Sequence, residues 1–87
     1  MRIKYSKKFQ KRFKKLPQSL KNKVVLAIEK FEKNPHDLAL KNHPLKGKLE
    51  SRRAFSVTGD IRIIFEEYDN YIVVLMLNLG THTQVYD

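Results

Sequence analysis

The chain has 87 residues, enough for one small domain, which we take as residues 1–87. It carries 18 lysines and arginines against 9 aspartates and glutamates, giving a formal net charge of +9. The absence of cysteine excludes disulfides and thiolate zinc sites and fits a reducing compartment. The longest apolar run, residues 72–77, is too short for a transmembrane helix, and no secretory signal opens the chain. We therefore expect a cytoplasmic protein without membrane contact.

The positive charge is concentrated in the N-terminal two-thirds of the chain. Residues 1–28 contain ten lysines and arginines and no acidic residue, whereas no lysine or arginine follows Arg62. This distribution favours a polyanionic or acidic partner, and nucleic acid first, because phosphate contacts release bound counterions. A solvated, solubilising helix surface is the alternative. Charge alone does not distinguish RNA, DNA, an acidic protein and a membrane surface.

The first part of the chain predicts a strand followed by a helical hairpin. Alternating apolar and basic residues at 2–5 indicate a short strand. Ser6 is typical of an N-cap for a helix that continues to about Leu16. Pro17 breaks this pattern, and apolar residues then recur at helical spacing until Pro35 ends the second helix.

The second part of the chain predicts a connection followed by strands. Residues 35–51 lack a clear period and form the connection, with one helical turn at 37–40. Strands are expected at residues 52–57, 61–66, 71–79 and 83–86. The run 71–79 is the most apolar and should be a central strand covered on both faces. The order is β-α-α-β-β-β-β, an α+β fold with a small antiparallel-rich sheet packed against the N-terminal helical hairpin.

Three histidines are the first candidates for acid–base chemistry near neutral pH. His36 lies in an Asn-Pro-His-Asp turn motif, which is typical of an exposed turn residue. His43 lies in a lysine-rich loop, and His82 follows the last long strand, where a rigid sheet end can fix a reacting side chain. Taken singly, each of the three is also compatible with a purely structural role.

Arginines and an aspartate complete a candidate constellation. Arg62 has apolar neighbours within its strand and cannot enter the core unpaired. If the two strands pair as a hairpin, the face carrying Arg62 also carries Arg52 or Arg53, with Asp60 at the turn. Histidines, arginines and an aspartate on one sheet face can move a phosphodiester by removing a 2′-hydroxyl proton, holding the phosphate charge and protonating the leaving oxygen. This chemistry requires no metal ion or cofactor.

Several motifs resemble the RelE/ParE superfamily of toxins from type II toxin–antitoxin modules, and within it the YafQ branch. They are the basic helical hairpin, the loop HPLKG at residues 43–47, the stretch RAFSVTGDIRIIF at 53–65 and the ending GTHTQVY at 80–86. The resemblance covers nearly the whole chain. It implies a small α+β protein that enters the ribosomal A site and cleaves mRNA there, leaving a 2′,3′-cyclic phosphate and a 5′-hydroxyl.

The resemblance also implies partners. A cognate antitoxin is expected to block the toxin through an amphipathic, partly acidic segment. The basic helices are expected to contact ribosomal RNA, and the toxin alone is expected to be a monomer.

Carried over by position, the resemblance implies roles for individual residues. His43, Asp60 and His82 match catalytic positions, with His82 as the principal acid or base. Substrate binding is expected from Lys46, Arg53, Arg62 and Tyr86, where Arg62 holds phosphate and Tyr86 stacks on a base. The branch has a further histidine where this chain has Ser56, which cannot titrate near neutral pH. Either the two remaining histidines suffice or the chemistry differs.

Two other functions remain open from the sequence. A toxin of the ParE type would inhibit DNA gyrase without cleaving anything and would not need the histidines. A catalytically inactive nucleic-acid-binding module would keep only the positive charge.

Overall fold

The structure is a computed structural model that describes residues 1–47 and 51–86. Its elements are β1 (Arg2–Tyr5), α1 (Lys7–Lys14), α2 (Gln18–Lys33), a 3₁₀ turn (Leu38–Leu40), β2 (His43–Pro44), β3 (Arg53–Ser56), β4 (Ile61–Tyr68), β5 (Val73–Thr81) and α3 (His82–Tyr86). The strands form one sheet in the order β1-β5-β4-β3-β2. This arrangement confirms the predicted α+β class with N-terminal helices.

Ser6 joins the first strand to the first helix and to the sheet. Its side-chain oxygen accepts a hydrogen bond from the Phe9 amide at 3.0 Å, as an N-cap does, and its hydroxyl donates to the Leu77 carbonyl at 2.7 Å. Leu77 is the residue that the β4–β5 register skips, since Ile64 pairs with Asn78 and Phe65 with Met76. The Ser6 hydroxyl therefore also provides a hydrogen-bond donor for a backbone carbonyl at a bulge in β5.

The main core lies between the helical hairpin and one face of the sheet. Phe31 of α2 is fully buried and stacks on Phe55 of β3, with ring centroids 4.6 Å apart. The same ring meets Phe65 of β4 edge-on at 5.0 Å and Tyr71 at 6.0 Å. Each such aromatic pair contributes about 0.5–1.5 kcal/mol beyond its buried area. One helical side chain thus holds two strands and the turn before β5.

The pleat of the sheet sends alternate residues to the opposite face. Ile63 and Phe65 belong to the main core, whereas Ile64 packs with Ala54 and Val85 in a second, smaller cluster. Leu45 and Tyr86 border this second cluster. The face opposite the helical hairpin is therefore only partly covered, by α3 and the segment after β2.

The C-terminal segment was predicted as a strand, and this prediction is wrong. Residues 82–86 form α3. The Thr81 hydroxyl accepts a hydrogen bond from the Gln84 amide at 3.3 Å, and the Gln84 side-chain oxygen accepts one from the Thr81 amide at 2.9 Å. These reciprocal bonds form a capping box, which favours a helix over continued strand.

The sheet also differs in detail from the prediction. β1 pairs in parallel with β5, and the predicted connection contains the two-residue strand β2; residues 48–50 of that connection lie outside the described part. The middle strand is β4, while β5 lies between β1 and β4. The β5 residues opposite the core, among them Val73 and Leu75, are only half-buried.

The predicted helical turn and the end of α2 before Pro35 are confirmed. None of the helices among the described residues is long and apolar enough to cross a membrane.

Replacing Ser6 with alanine should lower the free energy of unfolding by about 1–2 kcal/mol, because it removes both the cap and the bond to the Leu77 carbonyl. Urea unfolding monitored by circular dichroism measures this change. Ser19→Ala is the matched control, since Ser19 is exposed in the first turn of α2. Equal stability of the two variants would contradict the role assigned to Ser6.

Candidate active site

The partly covered face of the sheet contains a cleft of about 370 Å³ that we call the histidine cleft. It is lined by His43, Leu45, Arg62, His82 and Tyr86. These residues come from β2 and the segment after it, from β4 and from α3. The fold therefore brings together two histidines and an arginine that are separated by up to 39 positions in the chain. All but Leu45 were candidates from the sequence.

Asp60 lies in a neighbouring cleft of about 480 Å³. Its lining consists of Gly59, Asp60, Arg62, Thr81, His82 and Thr83. Arg62 and His82 line both clefts, with His43 in one and Asp60 in the other. Asp60 is exposed, and the turn that carries it is held by the Thr58 hydroxyl, which accepts hydrogen bonds from the amides of Asp60 and Ile61. Asp60 therefore lies on a turn that is fixed by backbone hydrogen bonds, next to the strand that carries Arg62.

The hydrogen bonding of His43 fixes the chemistry of its ring. Nδ1 lies 2.8 Å from the Lys41 carbonyl oxygen. A carbonyl can only accept, so the neutral ring carries its proton on Nδ1 and its lone pair on Nε2. The side chain is exposed on the cleft rim. This tautomer leaves Nε2 available to accept a proton from a bound molecule.

His82 and Tyr86 are held one helical turn apart on α3. Their ring centroids are 4.4 Å apart and the planes meet at 62°, an edge-to-face contact. Val85 of the same helix is buried against Ala54 and Ile64. The capping box at Thr81 and this apolar contact together determine where the two rings lie over the sheet.

Gly80 leaves room for the Gln84 side chain where β5 passes into α3. A Cβ at this position would lie 2.5 Å from the side-chain oxygen of Gln84 and 3.1 Å from the Gln84 Cβ. The absence of a side chain therefore lets Gln84 fold back and complete the capping box. The glycine and the two polar residues form one local device that starts α3.

Of the remaining predicted substrate-binding residues, Arg62 lines the clefts, whereas Lys46 and Arg53 do not. Arg62 is half-buried and pairs with Ser56 on β3 and Gly80 on β5. Lys46 is exposed in the segment after β2 and is not among the residues lining either cleft. Arg53 lies elsewhere, since it pairs with Phe65, and its Nε donates to the Asn42 side-chain oxygen at 2.9 Å.

The register explains why Arg53 does not join the cleft. Ser56 and Ala54 pair with Arg62 and Ile64, so even-numbered residues of this hairpin share the cleft side. Of the two arginines that open the strand, Arg52 has that parity and Arg53 does not. Arg52 precedes β3 and is not among the residues lining either cleft.

Sequence reasoning missed the capping box and the role of Leu45 in the cleft wall. The spacing Thr-x-x-Gln at residues 81–84 is a recognisable signal for a helix start. Leu45 offers no comparable signal, because its place in the cleft wall depends on the pairing of β2 with β3. Among the described residues, no three histidine or carboxylate side chains cluster closely enough to hold a metal ion.

A second surface lies on the helical side of the molecule, and we call it the helix groove. It has a volume of about 340 Å³ and is lined by Tyr5, Phe9, Gln10, Phe13, Lys14, Val25 and Ile28. Burial, and to a lesser extent the charge of Glu32, raises the pKa of Tyr5 above its ordinary value. The groove contains neither histidine nor carboxylate, so its chemistry suits apolar contacts rather than proton transfer.

A sequence model of the family described as "Bacterial toxin of type II toxin-antitoxin system, YafQ" matches residues 1–87. The chain belongs to the YafQ family. This membership confirms the expected likeness to RelE-superfamily toxins and makes the chain a toxin of the type II toxin–antitoxin class. A search of curated proteins gave no match.

Solved structures agree with this membership. YafQ from Escherichia coli BL21(DE3) is 26% identical, with a TM-score of 0.80 over 100% of both chains. A copper-bound mutant toxin from Helicobacter pylori is 27% identical, with a TM-score of 0.71 over 99% of each chain. The E. coli DinJ–YafQ complex has the same fold at 20% identity, with a TM-score of 0.69 over 100% of both chains.

Gly80→Ala in this YafQ-family toxin should displace Gln84 and destabilise the chain by about 1–3 kcal/mol, because the new Cβ overlaps the capping side chain. The nuclear Overhauser contacts between the rings of His82 and Tyr86 should weaken as α3 loosens. Gly59→Ala is the matched control, since nothing lies within 4 Å of a Cβ there. An intact α3 in Gly80→Ala would contradict this account.

Proposed function

We propose that this YafQ-family toxin is an endoribonuclease that cleaves mRNA in the ribosomal A site by metal-independent transesterification. The observation that carries the proposal is that His43, Arg62 and His82 line one open cleft. Two imidazoles and a guanidinium suit this reaction. One imidazole removes the proton of the 2′-hydroxyl, the other protonates the leaving 5′-oxygen, and the guanidinium stabilises the charge on the phosphate.

The proposed step begins at His43. Its Nε2 lone pair takes the proton of the ribose 2′-hydroxyl, and the resulting 2′-oxygen forms a bond to the adjacent phosphorus. The bond between phosphorus and the 5′-oxygen of the next nucleotide breaks, and protonated His82 gives its proton to that oxygen. The products are a 2′,3′-cyclic phosphate and a 5′-hydroxyl. The hydrogen bond from Nδ1 of His43 to the Lys41 carbonyl supports this assignment of the base.

Other side chains act on charge and orientation. Arg62, which lines both clefts, stabilises the negative charge that builds on the phosphoryl oxygens. Asp60, which lines the neighbouring cleft together with Arg62 and His82, is the third proposed catalytic group. Tyr86 offers an aromatic surface for a base, and Lys46 contributes charge near the cleft rim.

The ribosome is proposed to complete the site. Lys7, Lys8, Lys11, Lys14 and Lys15 are exposed on and just after α1, and they would contact ribosomal RNA. An open cleft holds a flexible RNA poorly, and orientation of the reacting 2′-oxygen can supply several kcal/mol of the barrier. Cleavage is therefore expected on programmed ribosomes rather than on free RNA.

The main competing function is inhibition of DNA gyrase, as in toxins of the ParE type. Such a toxin would need the fold and the basic surface but not two histidines lining a common cleft. An inactive nucleic-acid-binding module would likewise not require the two histidines, because it would bind through its positive charge. The shared cleft favours cleavage over both alternatives.

His82→Ala should reduce A-site cleavage by roughly a hundredfold or more, the usual contribution of a general acid or base. Primer extension on ribosomes that carry a defined mRNA and an empty A site measures the cut. Leu38→Ala is the control, since this side chain is 92% exposed and lies outside both clefts.

Three results are distinguishable in that experiment. A cut by wild type that is lost only in His82→Ala supports the proposed chemistry. A cut retained in His82→Ala keeps the function but moves the acid role to another group. No cut by wild type that still arrests growth and induces a DNA-damage response would favour gyrase inhibition.

A cognate antitoxin is the second proposed partner. YafQ of E. coli has been solved in complex with DinJ, which supports an antitoxin for this chain as well. The helix groove combines apolar walls with the charge of Lys14 and suits the amphipathic, partly acidic segment expected of an antitoxin.

Val25→Asp should weaken binding of the co-expressed cognate antitoxin by about tenfold or more. The new carboxylate lies in an apolar wall of the groove and repels the acidic segment of the antitoxin. A-site cleavage should be unchanged, since Val25 lies on the opposite side of the sheet. Leu38→Asp is the control: its side chain is 92% exposed and lies outside the groove. Isothermal titration calorimetry compares the variants, and equal affinities would exclude the groove as the antitoxin site.

A further inference from the structure

Asn42, the residue before His43, is bonded to three separate segments of the chain. Its side-chain oxygen accepts a hydrogen bond from Arg53 Nε on β3 at 2.9 Å. Its side-chain nitrogen donates to the Pro35 carbonyl at 3.0 Å and to the Tyr71 hydroxyl at 3.1 Å. The side chain thus uses its acceptor and its donors within one half-buried cluster.

Tyr71 reaches this cluster through an unfavourable backbone conformation. Asp69, Asn70 and Tyr71 have φ of 54°, 56° and 70°, three consecutive non-glycine residues in the left-handed region. A left-handed residue costs roughly 1–2 kcal/mol, and an aromatic one is rare there. The Tyr71 amide donates a hydrogen bond to the Glu67 side chain at 3.1 Å, and the Tyr71 ring contacts Phe31. These two interactions hold the turn in place. Strain of this kind is typical of segments with a functional constraint.

The segment that carries His43 has little support of its own. β2 contains only His43 and Pro44, and they pair with Ala54 and Arg53 at the edge of the sheet. Proline cannot donate to the ladder. His43 is exposed, and its ring is fixed by the carbonyl of Lys41, whose φ of 52° is also left-handed. Along the chain, Asn42 lies between Lys41, whose carbonyl accepts from the ring, and His43, which carries the ring.

We propose that Asn42, clamped by Arg53 and Tyr71, is a positioning residue that holds the Lys41–His43 segment so that Nε2 of His43 faces the cleft in its accepting state. The inference deepens the proposed function and rests on His43 being the base. It also gives Arg53 a task different from substrate binding. Arg53 acts through Asn42, on the side of the hairpin that faces away from the cleft.

The first test is a double-mutant cycle in the ribosome cleavage assay. Asn42→Ala should slow single-turnover cleavage by roughly ten- to a hundredfold in the wild-type background. In the His43→Ala background, the same change should have less than about a twofold effect, because the group that Asn42 positions is gone. An equal factor in both backgrounds, or no loss in either, overturns the proposal.

Tyr71→Phe isolates the hydroxyl, because the ring keeps its packing against Phe31 and Phe65. It should also slow cleavage in the wild-type background and not in His43→Ala. Tyr68→Phe is the matched control: its hydroxyl bonds to Glu66 on the exposed end of β4, and cleavage should be unchanged. If the two phenylalanine variants are equally active, the hydroxyl of Tyr71 has no positioning role.

The second test does not depend on cleavage and separates this proposal from the proposed function. Long-range ¹H–¹⁵N correlation spectra at alkaline pH report which nitrogen of His43 carries the proton. Wild type should show the Nδ1–H form, and Asn42→Ala should show a mixture of tautomers, with antitoxin binding unchanged. An unaltered His43 spectrum overturns the proposal even if wild type cleaves mRNA. An altered spectrum without cleavage by wild type keeps the positioning of the His43 ring by Asn42 and overturns only the assignment of His43 as the base.

Discussion

The structure depends on the burial of one aromatic ring from the helical hairpin. Phe31 contacts Phe55 on β3, Phe65 on β4 and Tyr71 in the turn before β5. These contacts hold α2 against the sheet and fix which residues of β3 and β4 face the helices. Since side chains alternate along a strand, the same packing assigns Arg62 and Ile64 to the opposite face. The candidate site is a consequence of that assignment.

Burial is unevenly divided between the two faces of the sheet. The helical hairpin buries the main core on one face, while α3, five residues long, covers a smaller cluster on the other. A chain of this size buries a smaller fraction of its surface on folding than a larger domain does, which is consistent with one face being only partly covered. The uncovered area becomes the histidine cleft, and exposed cationic and imidazole groups can remain there without a desolvation penalty.

Both histidines of the histidine cleft lie on segments that polar contacts hold in place. His43 depends on the Lys41 carbonyl and on the cluster around Asn42, and His82 depends on the capping box between Thr81 and Gln84. The Phe31 cluster reaches the first of these through Tyr71. Packing on the covered face is therefore linked, through Tyr71 and Asn42, to the segment that carries His43 on the other face.

The helical hairpin, the paired strands β3 and β4 and the basic surface could be predicted from the sequence, because hydrophobic period, proline positions and charge are local properties. It also singled out His43, Arg62, His82 and Tyr86, which share the cleft. Tertiary structure decided what local pattern cannot encode: the parallel pairing of β1 with β5, the parity that turns Arg53 toward Asn42, and the union of distant histidines. The final helix is an intermediate case, since its capping signal was local but the preceding strand pattern concealed it.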